Sequence, residues 1–343
     1  MFNRVTFITA AVFATLFAAG CVKTLDPASK NARIRFDAGS ALLRDDATSK
    51  ASLKEGATFV NGDVITVFGT HTSGSEQTLV FDGVDVRKET FAWTYSPARS
   101  WEWLSTGDYY DFAAVWPSGK GTARMNVSGN LAISTHYDLM EGDNYDLMAA
   151  TNRRRGNVMN PSDTVRLSFN HMNSAVQVVV INSSDTKAVN IDSVKFKNLM
   201  VCGDAKVTLD NFGESLLSWI NTERNRAEVC KTEIDSTVAA GARCACGHDL
   251  MIPQRLDQAA AAGGLDADMP TLILKYTPAG AVQSTANILL KGVKRQDGTE
   301  ITSWEPGVRY VYYVTMRLDG GVLVSIVTTA WDDVEMETPG LLI

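Results

Sequence analysis

The side chains with the widest chemical reach in this sequence are five cysteines and four histidines. Cys202, Cys230, Cys244 and Cys246 sit in the second half, and Cys21 stands alone near the start. Cys244 and Cys246 have one residue between them, so they do not form the C-x-x-C pair of a redox or zinc site, and only His248 is close by. In an exported chain these four cysteines can oxidise, with three possible pairings that spacing does not separate. His71, His136, His171 and His248 are far apart and share no ligand spacing, so neither a metal nor a cofactor is expected. The 39 acidic residues contain carboxylates enough for a glycosidase, but nothing selects a pair. No G-x-S-x-G elbow and no H-E-x-x-H run occurs, and "SGKGT" at residues 118–122 lacks the leading glycine of a phosphate loop. Catalysis is not expected.

Aromatic residues offer a second kind of chemistry. "SWEWLSTGDYYDFAAVW", residues 100–116, gathers Trp101, Trp103, Tyr109, Tyr110, Phe112 and Trp116. Exposed, Trp101 and Trp103 would stack on sugar rings; buried, the cluster is one face of two strands packed in a core. Strand alternation puts Tyr110 and Phe112 on the opposite side from Tyr109 and Asp111, which makes part of the cluster core.

Cys21 has a different context. It ends "TAAVFATLFAAGC", behind the single early cation Arg4. The apolar stretch from Val5 to Gly20 is broken by Thr6, Thr9 and Thr15, and a membrane-spanning helix needs about 20 apolar residues. A charged start, an apolar middle and a small-residue exit are the pattern of a secretory signal. With the cysteine it resembles a bacterial lipobox, with Ala18 where that pattern has Leu. Cleavage before Cys21 would leave a thiol and an amine for acylation, and several acyl chains hold a protein firmly to a bilayer. The expectation is a chain anchored to a membrane without crossing it. A net charge of -7 and a pI near 5.2 argue against a nucleic-acid partner. Arg153, Arg154 and Arg155 interrupt the acidic balance; with Asn, Gly and Pro around them they read as an exposed loop.

The elements that would carry these residues are strands. "DVITVFG", "ETFAWTYS", "TVRLSFNH", "AVQVVVIN", "TLILKYT" and "RYVYYVTMRL" are rich in β-branched and aromatic residues, and most are bounded by Gly, Asn or Asp. "YDFAAVWP" ends where Pro117 removes a ladder donor. Many short strands with regular turns predict antiparallel sandwiches. Helix signals are sparse: "HMNSAV" reads as one turn, "SLLSWINTERNRAEV" as a short helix or an elaborated loop, and "LDQAAAAGGLDAD" as a flexible insertion. A boundary near residues 171–174 leaves each half enough chain for its own core.

"FVNGDVITVFG", "TFAWTYSPARSWEW", "DYYDFAAVWP", "YDLMAA", "VRLSFNHMNSAVQVVV", "DLMIPQ" and "SWEPGVRYVYYVTM" follow one another in the order seen in the fimbrillins. The chain resembles that family, the lipoprotein precursors of surface pili in Gram-negative bacteria. The resemblance implies an all-β fold of two tandem transthyretin-like antiparallel β-sandwiches. Its divisions are a signal peptide at 1–20, an anchor with a removable first strand at 21–44, and sandwiches at 45–173 and 174–343. It also implies a pilus subunit or adhesin, anchored to the outer membrane through an acylated Cys21, displayed on the cell surface or in a pilus, with other fimbrillin subunits as partners. An arginine-specific or trypsin-like protease would remove the first strand, and a neighbour's strand would fill the vacated groove. "ARIRFDAG", with Ile34 and Phe36 on one face, suits the removable strand, and Arg44 in "ALLRDDATSK" suits the cut. Arg33 and Arg35 lie within the strand, and Lys50 is a further trypsin-like site. The tail "AWDDVEMETPGLLI" either donates to a neighbour or completes its own sandwich. The alternative is a monomeric outer-membrane glycan-binding lipoprotein using Trp101 and Trp103; a host or glycan ligand is compatible with both.

Overall fold

The computed structural model describes residues 32–40, 59–102, 106–125, 131–143, 145–156, 164–209, 215–224, 229–259, 266–295, 297–317 and 321–330. Cys21, Arg44, Lys50, Trp103 and the tail at 331–343 lie outside them. In chain order the strands are β1 (Arg35–Ser40), β2 (Val64–Ser73), β3 (Glu76–Lys88), β4 (Trp93–Thr94), β5 (Tyr109–Trp116), β6 (Thr122–Met125), β7 (Leu131–Asp138), β8 (Met148–Arg155), β9 (Thr164–His171), β10 (Ser174–Asn182) and β11 (Val189–Lys197). They continue as β12 (Met200–Leu209), β13 (Ser215–Arg224), β14 (Val229–Val238), β15 (Arg243–Met251), β16 (Gln254–Arg255), β17 (Thr271–Pro278), β18 (Ser284–Leu289), β19 (Ser303–Trp304), β20 (Val308–Met316) and β21 (Val322–Ala330). A single 3-10 turn, Asp266–Asp268, is the only helical element among the described residues. The fold is all-β, as expected. Its strand pairs are antiparallel except for β1 with β9 and β10 with β20.

A seven-stranded sheet runs in the order β1-β9-β8-β5-β2-β3-β4. Phe36 of β1, at one edge, touches Phe81 of β3, near the other, so the sheet must curl around the residues between them. Its inner face buries Ile65, Val67, Val86, Phe112, Val165, Leu167 and Phe169. The outer face, around Phe68, Ala113, Val115 and Ala149, packs against a four-stranded sheet ordered β13-β12-β7-β6. Burial on both faces explains why β2 and β5 are covered along nearly their whole length rather than at alternate residues.

The second half is a sandwich of two four-stranded sheets, β15-β10-β20-β21 and β14-β11-β17-β18. Val176, Val178, Val180, Tyr310 and Tyr312 meet Ile191, Phe196, Leu272 and Leu274 in one core. The passage from β9 to β10 is buried and clamped. Met172 N–H donates to the Leu147 carbonyl at 2.7 Å, Gly307 N–H to the Asn173 carbonyl at 2.9 Å, and the Trp219 indole to the Met172 carbonyl at 2.8 Å. The β13-β12-β7-β6 sheet crosses this point, joining strands from both sides of it.

Three local expectations are corrected. In "SLLSWINTERNRAEV", residues 215–224 form β13 and Val229 opens β14, neither helix nor loop, while 225–228 lie outside the described residues. "HMNSAV" makes no helical turn; it runs from β9 into β10. The arginines at 153–155 close strand β8. There the Arg153 side chain, 6% exposed, holds the fully buried Asp111 carboxylate with two bonds of 2.6 and 2.8 Å and lies over the Tyr109 ring. A bidentate pair satisfies both charges where water cannot reach them.

Candidate functional site

The residues of "ARIRFDAG" alternate, and the structure uses the alternation. Ile34 is 0% exposed and Phe36 4%, while Arg33, Arg35 and Asp37 face outward. Phe36 is enclosed by the rings of Phe81, Tyr95 and Phe112, all edge-on at centroid distances of 5.3, 5.7 and 5.7 Å. Gly69 of β2 makes this nest possible, because a Cβ there would stand 2.9 Å from the Phe112 ring and 3.2 Å from that of Phe81.

Two different stretches bond the backbone of this ribbon. β1 runs parallel to β9, with Phe36 opposite Val165 and Ala38 opposite Leu167. Just before β1 the partner changes: Ile34 N–H donates to the Arg99 carbonyl at 2.9 Å, and Trp101 N–H donates to the Ala32 carbonyl at 3.0 Å. The ribbon therefore joins the two ends of the curled sheet. Tyr95 fastens the join, since its buried hydroxyl donates to the Ile34 carbonyl at 2.7 Å. Arg33 adds a bond to the Tyr95 carbonyl, and its guanidinium lies 4.6 Å from the Tyr95 ring centre. The 99–102 stretch is itself held by Tyr110, whose hydroxyl accepts the Glu102 N–H at 2.9 Å. Burial pushes the Tyr110 phenol up to about 12, so it stays neutral as a hydrogen-bonding anchor.

Past residues 41–58 the chain re-enters the same core at Phe59, whose ring packs on Trp93 at 5.2 Å and Phe169 at 5.1 Å. The ribbon and Phe59 are thus anchored separately. A break between them would cut the ribbon's covalent link to the rest of the molecule without touching Phe59, leaving it held by its own bonds and packing.

The sugar-stacking expectation fails for Trp101. It is 2% exposed and meets Tyr110 and Phe112 edge-on at 5.0 and 5.9 Å, so it is a core residue behind the ribbon. Sequence reasoning missed Tyr95 and the 99–101 stretch as parts of the seat; the one signal was their place in the motif "TFAWTYSPARSWEW". Cys202, Cys244 and Cys246 form no disulfide, and the Cys246 thiol is pushed up to about 12 by burial. None of the described helices is long and apolar enough to cross a membrane.

Several solved structures align with this chain at low sequence identity. A candidate cell-adhesion protein from Parabacteroides distasonis aligns with a TM-score of 0.50 and 12% identity over 90% of this chain and 99% of its own. A candidate cell-adhesion protein from Bacteroides uniformis gives 0.47 and 15% over 87% and 98%. The tip fimbrial protein Mfa3 from Porphyromonas gingivalis, with a C-terminal truncation, gives 0.45 and 10% over 88% and 100%. No curated protein matches the sequence. The profile of the fimbrillin-like proteins, which are fimbrial and adhesion subunits rather than enzymes, matches residues 49–331, from beyond β1 to just past β21. The chain therefore belongs to the fimbrillin-like family.

Proposed function

We propose that this chain is a surface pilus subunit whose ribbon at 32–40 holds a groove for a neighbour's strand. The observation that carries this reading is the ribbon's double attachment: it bonds to β9 and to the 99–101 stretch while burying Ile34 and Phe36. Removing it would open two sheet edges and an apolar slot together, and open edges recruit strands. A replacement with apolar residues at alternate positions would recover about 1.5–3 kcal/mol for each large side chain buried. Each ladder bond would add about 1 kcal/mol. While tethered, the resident ribbon competes at high effective concentration, so cleavage must precede exchange.

In this reading residues 1–20 export the chain and an acylated Cys21 anchors it to the outer membrane. A trypsin-like cut after Arg44 discards 21–44. Residues 45–173 and 174–343 act as two modules joined by the shared sheet. Arg44 suits the cut because it lies between the anchored Ser40 and the anchored Phe59. Arg35 does not, because it lies in β1 and is paired with Thr164 of β9.

Limited trypsin treatment of the mature protein tests the reading. Trimmed protein is expected to form a ladder of oligomers in size-exclusion chromatography, and an excess of a peptide with the sequence of residues 32–40 should suppress it. Protein that loses the ribbon yet remains a folded monomer at high concentration would refute the exchange. Deleting 331–343 separates the two roles of the tail: a folded protein that no longer forms oligomers identifies the tail as the donor.

A further inference from the structure

The sheet that bridges the two halves brings four ligand-type side chains to one face. His136 and Asp138 are two residues apart on β7, and Cys202 and Asp204 two apart on β12. The strands are antiparallel, with Cys202 opposite Asp138 and Asp204 opposite His136. In a strand, residues i and i+2 share a face, so the register makes a two-by-two array from side chains 66 residues apart in the chain.

Within the array the roles divide. His136 Nδ1 lies 2.8 Å from Asp204 Oδ1, and His136 Nε2 lies 3.6 Å from Cys202 Sγ. With the Nδ1 proton donated to Asp204, the Nε2 lone pair points toward the sulfur side, the carboxylate–histidine arrangement that orients a metal-binding imidazole. His136 Nε2 or Nδ1, Cys202 Sγ and an Asp138 oxygen can be chosen all within 4.8 Å of one another. Tetrahedral zinc, bonded at about 2.3 Å to sulfur and about 2.05 Å to nitrogen, sets those two ligand atoms about 3.6 Å apart. The observed 3.6 Å fits that edge. Asp138 is held in place because its Oδ1 accepts the Met140 N–H at 2.7 Å, and a carboxylate has lone pairs to spare for a cation. The His136 side chain is 61% exposed, which gives an ion an entry path and a water a place as fourth ligand.

We infer that His136, Asp138 and Cys202 form a zinc(II) site, with Asp204 orienting His136. The mixture of thiolate, imidazole and carboxylate is the borderline-soft set that zinc accepts. Binding would release the Cys202 proton to solvent. Because β7 precedes the β9–β10 passage and β12 follows it, the ion would act as a clip between the two halves. The site is independent of the first-strand seat and holds whether or not that seat exchanges strands.

Zinc titration of the purified mature chain by calorimetry is the test, repeated with cobalt(II) to read thiolate coordination by absorption. The expected result is one ion per chain and a sulfur-to-cobalt charge-transfer band, both unchanged in Cys244→Ala. Cys202→Ser should lose the band and at least about 100-fold in affinity; Asp204→Asn, a positioning change, should lose about 10–100-fold while keeping the band. Zinc should raise the melting midpoint of the native chain by a few degrees and leave that of Cys202→Ser unmoved, with circular dichroism establishing that the variant folds. Absence of stoichiometric binding, or a band and affinity that survive Cys202→Ser, would overturn the assignment.

Discussion

The two parallel strand pairs among the described residues have opposite characters. β10 lies inside its sheet, bonded along nearly its whole length to β15 on one side and β20 on the other. It contributes Ala175, Val176, Val178, Val179 and Val180 to buried positions. β1 comes from near the beginning of the chain, pairs with β9 through six residues, and has its second partner only at residues 32–34. With the residues just before it, it contributes Ile34 and Phe36 to the core, with Ala32 and Ala38 partly covered. Both strands cover core, but β10 is held along its length on two sides whereas β1 is a sheet edge held on one side by β9. The replaceability proposed for the ribbon rests on where it sits in the chain and how few neighbours hold it, more than on its hydrophobicity.

The largest contrast should come from Phe36→Ala. Truncating a buried phenylalanine costs about 3–5 kcal/mol. Here the loss is expected to stay local: hydrogen exchange should rise at 99–101 and along β9 while β10 and β20 keep their protection. Equal loss of protection in β10 would break the comparison, because the ribbon would then be part of one global unit.

Tyr95→Phe should have a smaller effect. It takes the buried donor from the Ile34 carbonyl, a loss of about 1–3 kcal/mol. Measured as the affinity of a 32–40 peptide for trimmed protein, the variant should bind more weakly, with an unaltered denaturation midpoint for the second half.

The least contrast is expected in alkali, because both halves contain buried phenols shifted upward. Tyr110 near the ribbon is raised from 10.0 to about 12, and Tyr312 in the sandwich core is raised by complete burial, with the Trp304 indole donating to its hydroxyl at 3.0 Å. A phenol whose folded value lies above its unfolded one keeps its full stabilisation below the unfolded value. It loses that stabilisation as pH rises through the folded one. Both halves should therefore hold to about pH 10 and weaken together above it. Denaturation midpoints followed from pH 8 to 12, using one probe in each half, would check this; an early loss in one half would single it out.

The parts of this fold that could be read from the sequence were those with short periods. Ile34 and Phe36 announced a one-faced strand, and Tyr110 and Phe112 separated from Asp111 by simple alternation. What was hidden depended on register. The arginine run at 153–155 looked like a loop because Asp111, the partner that buries Arg153, is 42 residues away. β13 was misread because Leu216, Leu217, Trp219 and Ile220 form a nearly continuous apolar run. Leu217 and Trp219 pack toward the core, while Leu216 and Ile220 stay exposed, so the alternation is masked. His136 and Cys202 carried no spacing signal at all, since only the pairing of β7 with β12 makes them neighbours. The closing of the curled sheet by residues 99–101 was likewise invisible, because its partner switches between Ile34 and Arg35.

The most direct test of the central claim is the N-terminal residue of the protein as it sits on cells, determined separately for assembled and membrane-bound copies. The account predicts that assembled copies begin beyond Ser40, with Asp45 as the expected start, so that the seat of Ile34 and Phe36 has been vacated for a neighbour. Assembled copies that all still begin at an acylated Cys21, with the ribbon in place, would contradict it.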